Sequence, residues 1–258
     1  MKRYRYIDLP NGAKARRSVD LEKKLNLNIL QLTNKAQSVG KLDLPAITCR
    51  TDILPDYIAL YNHPADYWHT ANTAVSFFLY DNTFDGKNGL FNAIYYRDVE
   101  RLEFFKRRFD GVRTFIMPDL SLCGDVPAIE NYYRLFRMRL ISLWLTMELG
   151  AVVIPFVSFS TIENLEFAIN GYEDCTVVCF STKGALGNPS EHAALKQAIK
   201  VVVDTLDLAS IVVYDVCETN QKAEELFAYA SAKGVRVHIP LNMLKERNIQ
   251  RRATRSAH

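Results

Sequence analysis

Seven short runs rich in β-branched and aromatic residues recur along the chain: AITC (46–49), AVSFFLY (74–80), VRTFIM (112–117), AVVIPFVSF (151–159), CTVVCF (175–180), SIVVYDV (210–216) and VRVHIP (235–240). Several lack the apolar/polar alternation of a half-wet strand. Unbroken apolar runs are what strands buried on both faces carry, as in parallel sheets. The intervals between them hold helical periodicity. In 126–150, Ile129, Tyr133, Phe136, Leu140, Leu143 and Met147 recur at spacings of three and four and end at Gly150, which predicts one long amphipathic helix with a glycine stop. Ser160 with Glu163 has the form of a capping box for the next helix. Two further helical patterns follow near 189–206 and 219–234, the second closing with Gly234. Residues 50–73, with Pro55, Pro64 and four aromatic side chains, read as an irregular loop packed over one end. Residues 18–40 read as an added N-terminal helix.

Strand and helix in alternation predict an α/β fold of mainly parallel βα repeats with right-handed crossovers. Seven strands over about 200 residues suit a TIM-barrel-like arrangement, complete or incomplete, and an open doubly wound sheet is the alternative. No linker or internal repeat divides the chain, so residues 1–258 are read as one α/β domain with an N-terminal helical extension (1–44) and a basic tail (247–258).

Proline cannot donate to a sheet ladder, so Pro118, Pro155 and Pro240 predict where strand pairing stops, at the carboxyl ends of their strands. Ligands of α/β folds bind at that end, where the βα loops converge. Polar groups expected on this rim are Arg50 and Asp52, Asp81, Asp119, Ser158 and Ser160, Ser181, Thr182 and Lys183, and Asp215. Asp125 is read instead as a helix cap. Any single rim residue has an ordinary explanation in turn chemistry. Several aspartates together are more informative, because crowded carboxylates raise a pKa, pair with a cation such as Arg50 or Lys183, or bind a divalent metal. Asp81 and Asp119 are the candidate metal ligands, with Mg²⁺ or Mn²⁺ as the implied cofactor. Asp119, Asp81, Asp215 and Arg50 are the candidate catalytic residues. The stretch STKGALGNPSE resembles a phosphate loop before a helix N-terminus, with Lys183 placed ahead of both glycines rather than after them. A βα turn with Ser190 as the helix cap explains the same residues. Ser121, Ser181, Thr182, Lys183 and Gly184 are the candidate ligand-binding positions. The five histidines show no ligand spacing, and His238 reads as a satisfied core residue. Arg134, Arg137 and Arg139 read as a solvated helical face.

Composition changes this picture little. The chain has 258 residues, 48% hydrophobic and 24% charged, enough for one sizeable core. Its net charge of +3 is too small to argue for nucleic acid. The excess sits at the ends, in Lys2, Arg3, Arg5, Lys14, Arg16 and Arg17 and in Arg247, Arg251, Arg252 and Arg255, either as solvated termini or as phosphate contacts. Five scattered cysteines without CxxC spacing predict buried free thiols in a reducing cytoplasm. No run approaches a membrane span or a signal peptide.

FFLYDNTFD, MPDLSLCGDVP, GAVVIPFVSFS and CTVVCFSTKG, in that order, resemble the family catalogued as domain of unknown function 4417. Its members read Phe-Phe-x-x-Asp, Pro-Asp-Phe-Ser with Asp-Met-Pro, Gly-x-x-Val-Ile-Pro, Ile-Ser-Thr-x-Gly and Ile-x-Val-Tyr. The matching positions are Phe77, Phe78 and Asp81; Pro118, Asp119 and Ser121; Asp125 and Pro127; Gly150, Val153, Ile154 and Pro155; Ser181, Thr182 and Gly184; and Tyr214. Leu120 replaces the usual Phe and Val126 the usual Met. The resemblance spans roughly residues 70–217, implies a bacterial, phage or mobile-element protein, and strengthens the Asp81, Asp119 and Ser181–Thr182 rim. It implies no reaction.

Three expectations result. The first is an enzyme whose rim carboxylates hold a metal or act as acid and base on a phosphorylated ligand, a nucleotide or a nucleic-acid end. The second is a non-catalytic accessory factor that grips nucleic acid or protein. The third is an inactive scaffold.

Overall fold

The computed structural model describes residues 6–8, 12–16 and 32–256. Most of the N-terminal helix expected at 18–40 lies outside these residues. The described part of that region contains a two-stranded antiparallel pairing of Ser38–Val39 with Leu44–Pro45, and a similar pair joins Tyr6–Asp8 to Lys14–Arg16.

The body is α/β, and all its sheet pairings are parallel. We label its strands β1 (Tyr57–Leu60), β2 (Thr73–Ser76), β3 (Thr114–Ile116), β4 (Val152–Ile154), β5 (Val177–Ser181), β6 (Ser210–Tyr214), β7 (Arg236–His238) and β8 (Leu241–Asn242). One sheet has the order β8-β1-β2-β3-β4 and the other β7-β6-β5. Every residue of β1, β2 and β6 is buried, as the unbroken apolar runs predict. Each Val or Ile so buried contributes about 1.5–3 kcal/mol relative to exposure.

One predicted strand is corrected. Residues 46–49 make only an isolated bridge, Cys49 to Cys175, while the first body strand is β1, inside the segment read as a loop. Pro45 ahead of 46–49 removes a ladder donor. YIAL is too short to stand out among its aromatic neighbours.

The prolines do more than end strands. Regular pairing of β4 stops at Ile154; beyond Pro155, Phe156 bridges Cys179 of β5, flanked by Cys179 N–H to Pro155 O at 2.8 Å and Val157 N–H to Cys179 O at 2.9 Å. Pro240 separates β7, paired with β6, from β8, paired with β1. In both places the chain exchanges one partner strand for another where proline has no N–H to give.

The helices are α1 (Asp81–Phe84), α2 (Leu90–Tyr96), α3 (Val99–Arg108), α4 (Ala128–Leu149), α5 (Ile162–Ile169), α6 (Pro189–Thr205), α7 (Gln221–Leu226), α8 (Ala228–Ala232) and α9 (Met243–Ser256). The expected face of α4 is half right: Ile129 is 69% exposed and Tyr133 42%, whereas Met138–Leu145 is buried on all sides. Within that buried stretch Arg139 is fully enclosed, its guanidinium donating to the carbonyls of Pro45 (2.9 Å), Ala168 (3.1 Å) and Asn170 (2.6 Å). Burial lowers its pKa. Those acceptors include the unpaired carbonyl end of α5, which suits a cation. Arg139 therefore belongs to the core and not to a solvated face.

Three expected caps are also corrected. Asn188, not Ser190, caps α6 by accepting from the N–H groups of Ser190 (3.0 Å) and Glu191 (3.4 Å). Thr161 holds the N-cap position of α5, while Ser160 Oγ accepts from Asn164. Asp125 is exposed, and the N-terminus of α4 at Pro127 has no side-chain cap. His238, as expected, is satisfied, at 2.7 Å from Pro55 O. The basic tail is helical through Ser256, while Lys2, Arg3, Arg5 and Arg17 lie outside the described residues. No helix among the described residues is long and apolar enough to cross a membrane.

Candidate functional site

Asp119 follows β3 directly after Pro118, where the regular ladder has ended, so its carboxyl is delivered at a strand's carboxyl end. Ser158, just past β4, donates to Asp119 Oδ1 at 3.3 Å. Loss of hydration pushes the Asp119 carboxyl up to about 6; the Ser158 hydroxyl opposes this, the charge of Asp81 adds to it, and Lys183 pulls it back. A carboxyl poised there holds or releases a proton near neutral pH, which is what general acid–base chemistry requires.

Asp81 begins α1. Its Oδ2 accepts from Arg134 Nη1 at 2.6 Å, and its Oδ1 accepts from the backbone N–H (3.3 Å) and hydroxyl (3.4 Å) of Ser121. Arg134 also meets Glu130 at 3.0 Å, the pair expected at i,i+4. Asp81 is thus ion-paired and pinned. It acts on Asp119 through charge and ties the Ser121 turn to α1. Among the described residues no group of three or more His, Cys, Asp and Glu side chains gathers as a metal would need, and Arg134 occupies one oxygen of Asp81. The Asp81–Asp119 metal expectation thus lacks a donor set among these residues.

Asp215, at the end of β6, is fully buried and separately enclosed. Thr182 Oγ1 donates to its Oδ1 at 2.6 Å; Lys245 Nζ (2.7 Å) and Cys217 N–H (3.2 Å) donate to its Oδ2. Lys245, on the first turn of α9, is itself buried and also donates to Cys217 O at 2.9 Å. Asn242 adds a bond to Asp215 O at 2.8 Å. With both oxygens occupied, Asp215 anchors structure rather than facing a ligand. Thr182, spent on Asp215, is likewise removed from the expected phosphate loop. Of the rest of that loop, Lys183 is exposed, its N–H held by Ser181 Oγ at 3.1 Å, and Gly184 has φ +90°.

Arg50 is displaced from the rim. It pairs at 2.9 Å with Asp174, ahead of β5, beside the bridge at Cys49, so it stands with the amino ends of the strands. Asp52 is exposed beside it. The structure therefore joins Asp81, Asp119, Ser121, Ser158 and Lys183, and separates Asp215, Thr182 and Arg50.

Sequence patterns missed three participants. Lys245 looks like one more solvated cation in a basic helix. Arg134 and Arg137 look like surface charges, yet Arg137 pairs with Asp85 and lies over the rings of Phe91 (4.8 Å) and Tyr133 (5.5 Å). Beside Asp81 opens a cleft of about 580 Å³ lined by Tyr61, Phe84, Asp85, Lys87, Arg134 and Arg137 among others. FDGKNG, with two glycines three apart, is the signal in the sequence that could have found it. All five cysteines are free: Cys49, Cys175 and Cys179 buried, Cys217 half-buried and Cys123 exposed.

Comparison with curated proteins and with solved structures gives no match. The ordered motifs around Asp81, Asp119, Pro155 and Ser181 do fall inside a family match that covers residues 36–230, and the chain belongs to the family described as Domain of unknown function (DUF4417).

Proposed function

We propose that this protein is an enzyme in which Asp119 is the general acid–base, acting on a phosphorylated ligand, a nucleotide or a nucleic-acid end, at the carboxyl-end rim. The observation that carries it is the half-buried Asp119 carboxyl, raised to a pKa of about 6, with a hydroxyl donor in Ser158 and a neighbouring cation in Lys183. Ser158 orients the carboxyl, Asp81 raises its proton affinity, and Lys183 on its mobile-length side chain meets negative charge on the ligand. Acid–base chemistry is favoured over a metal bridge because Arg134 and Ser121 use both oxygens of Asp81.

The same rim gains its shape from a closed ring, which we infer from the partner exchanges at the prolines. Residues 236–242 pair with β6 at one end and β1 at the other, and the Phe156–Cys179 bridge joins β4 to β5. Together they support a seven-position parallel barrel, with a mouth at the carboxyl ends. Five unpaired thiols favour the reducing cytoplasm of a bacterial cell or of one carrying its phage or mobile element.

The test is a panel of phosphorylated nucleosides and short oligonucleotides assayed for turnover between pH 5 and 8. Turnover that follows an ionisation near pH 6 and vanishes in Asp119→Asn is expected. Equal turnover by wild type and Asp119→Asn removes Asp119 from the chemistry.

A second reading, a non-catalytic nucleic-acid-binding factor, is favoured by one observation: Arg247 and Arg251 stand a turn apart and exposed on α9. Salt-dependent retention on DNA or RNA that Arg247→Glu with Arg251→Glu abolishes, without any turnover, selects it.

A further inference from the structure

The loop 181–188, which looks most like a phosphate loop, has spent the Thr182 hydroxyl on Asp215 and the α6 terminus on Asn188, leaving the Lys183 ammonium to the rim. The loop 85–89, Asp-Gly-Lys-Asn-Gly, has not spent its side-chain donors. We propose that this loop and the cleft behind it bind a phosphorylated nucleoside, with Lys87 meeting the phosphate and Asp85 meeting an N–H group of the base.

The loop is rigidly built. Gly86 has φ +113°, its carbonyl accepts from Gly89 N–H at 3.0 Å and from Asn92 Nδ2 at 2.6 Å. At Gly89 a Cβ would meet Asp85 Cα at 2.7 Å and Phe84 O at 2.9 Å, so only glycine lets α2 begin so close to α1. That close approach puts Lys87 and Asn88 in the lining of the 580 Å³ cleft, where neither makes a hydrogen bond or ion pair to another described residue. A free ammonium and free amide donors on a fixed turn suit a phosphate.

The cleft also has a polar demand of its own. The Asp85 side chain is 6% exposed and lines the cleft; one oxygen pairs with Arg137, while Oδ1 has no donor. A buried acceptor without a donor is costly, and a ligand N–H relieves it. Pairing of Asp85 with Arg137, and of Asp81 with Arg134, keeps these acids from repelling the phosphate. Tyr61 and Phe84 supply apolar wall against which a base can lie. The volume falls in the range of small-molecule sites, roughly 300–1,000 Å³. Asp81 lines this cleft and its charge also reaches Asp119, which itself lies outside the lining, so the cleft and the acid–base carboxyl are linked through Asp81. The proposal thus deepens the enzyme reading and rests on it only for what happens after binding.

Calorimetric titration of the full chain with the four ribonucleoside monophosphates, the matching nucleosides, inorganic phosphate and a 5′-phosphorylated hexanucleotide tests it. At least one nucleotide is expected to bind, and Lys87→Ala to weaken it about tenfold or more while leaving nucleoside binding unchanged. Asp85→Asn, which keeps shape, should alter which base is preferred. Binding of the hexanucleotide about tenfold above the mononucleotide assigns a strand end as the ligand; parity assigns the free nucleotide. Asp119→Asn should bind normally, so loss of turnover with binding intact speaks to the chemistry and not to this site. Absence of binding by every nucleotide, inorganic phosphate as tight as the nucleotides, or wild-type affinity in a folded Lys87→Ala overturns the proposal.

Discussion

Asp119→Asn is a substitution for which the pH dependence of stability can be worked out in advance. The carboxyl rises from 3.8 to about 6 on folding, mainly through loss of hydration. A group whose folded pKa is raised stabilises the fold only while protonated. Its contribution is intact below pH 3.8 and is lost as pH climbs to about 6. Each pH unit in that window is worth about 1.4 kcal/mol, so ionised Asp119 costs on the order of 3 kcal/mol at neutral pH. Asparagine carries no charge and still accepts from Ser158. The variant should therefore match wild type near pH 4 and exceed it by up to about 3 kcal/mol at pH 7, or roughly 6–10 °C in melting temperature for a chain of this size. Urea unfolding of both proteins at pH 4, 5, 6, 7 and 8 measures the difference directly. A difference that stays flat across the series, or an Asn variant that is the less stable at pH 7, refutes the burial of a titrating carboxyl and with it the acid–base role.

Arg139→Met should cost about 2–4 kcal/mol in urea unfolding, because the carbonyls of Pro45, Ala168 and Asn170 lose their donor inside the core; Arg139→Lys, with a single ammonium, should not restore them. Asp215→Asn leaves the ammonium of Lys245 buried without a counter-charge and should cost about 3–5 kcal/mol, of which adding Lys245→Met recovers a large part; simple additivity in that double-mutant cycle would contradict the pair. Brief alkylation of the native protein should label Cys123 first and spare Cys49, Cys175 and Cys179, whose thiols burial pushes up and shields, with peptide mass mapping as the readout.

The parallel strands were legible because burial on both faces leaves a one-dimensional trace, an apolar run without alternation. The first body strand, β1, left no such trace: four residues flanked by Pro55, Tyr61 and Pro64 look like loop. Asp119 was legible for a local reason, a carboxylate right after the proline that ends a strand. Asp215 and Thr182 are also polar residues at strand ends, without a proline before them, and have the opposite fate, because a lysine 30 residues further along closes on Asp215. Contacts that depend on where a distant helix docks have no periodicity to betray them. Arg139 shows the same limit, since it shares its helix with Arg134 and Arg137 and nothing in the spacing sets it apart from those two.

The partner exchange at Pro155 leaves the joint between the two sheets thin. Between β4 and β5 the backbones are joined by a single bridge and its two flanking hydrogen bonds, whereas β5 and β6 pair over five residues. Local opening takes a route that breaks few bonds, so this joint is an early place for the two sheets to part under mild denaturant or heat. Cys179 sits on the seam itself, and its thiol thus works as a clock: the rate at which it becomes reactive counts openings of one named joint, set against Cys175, just ahead of the same strand, and Cys49, which bridges to it.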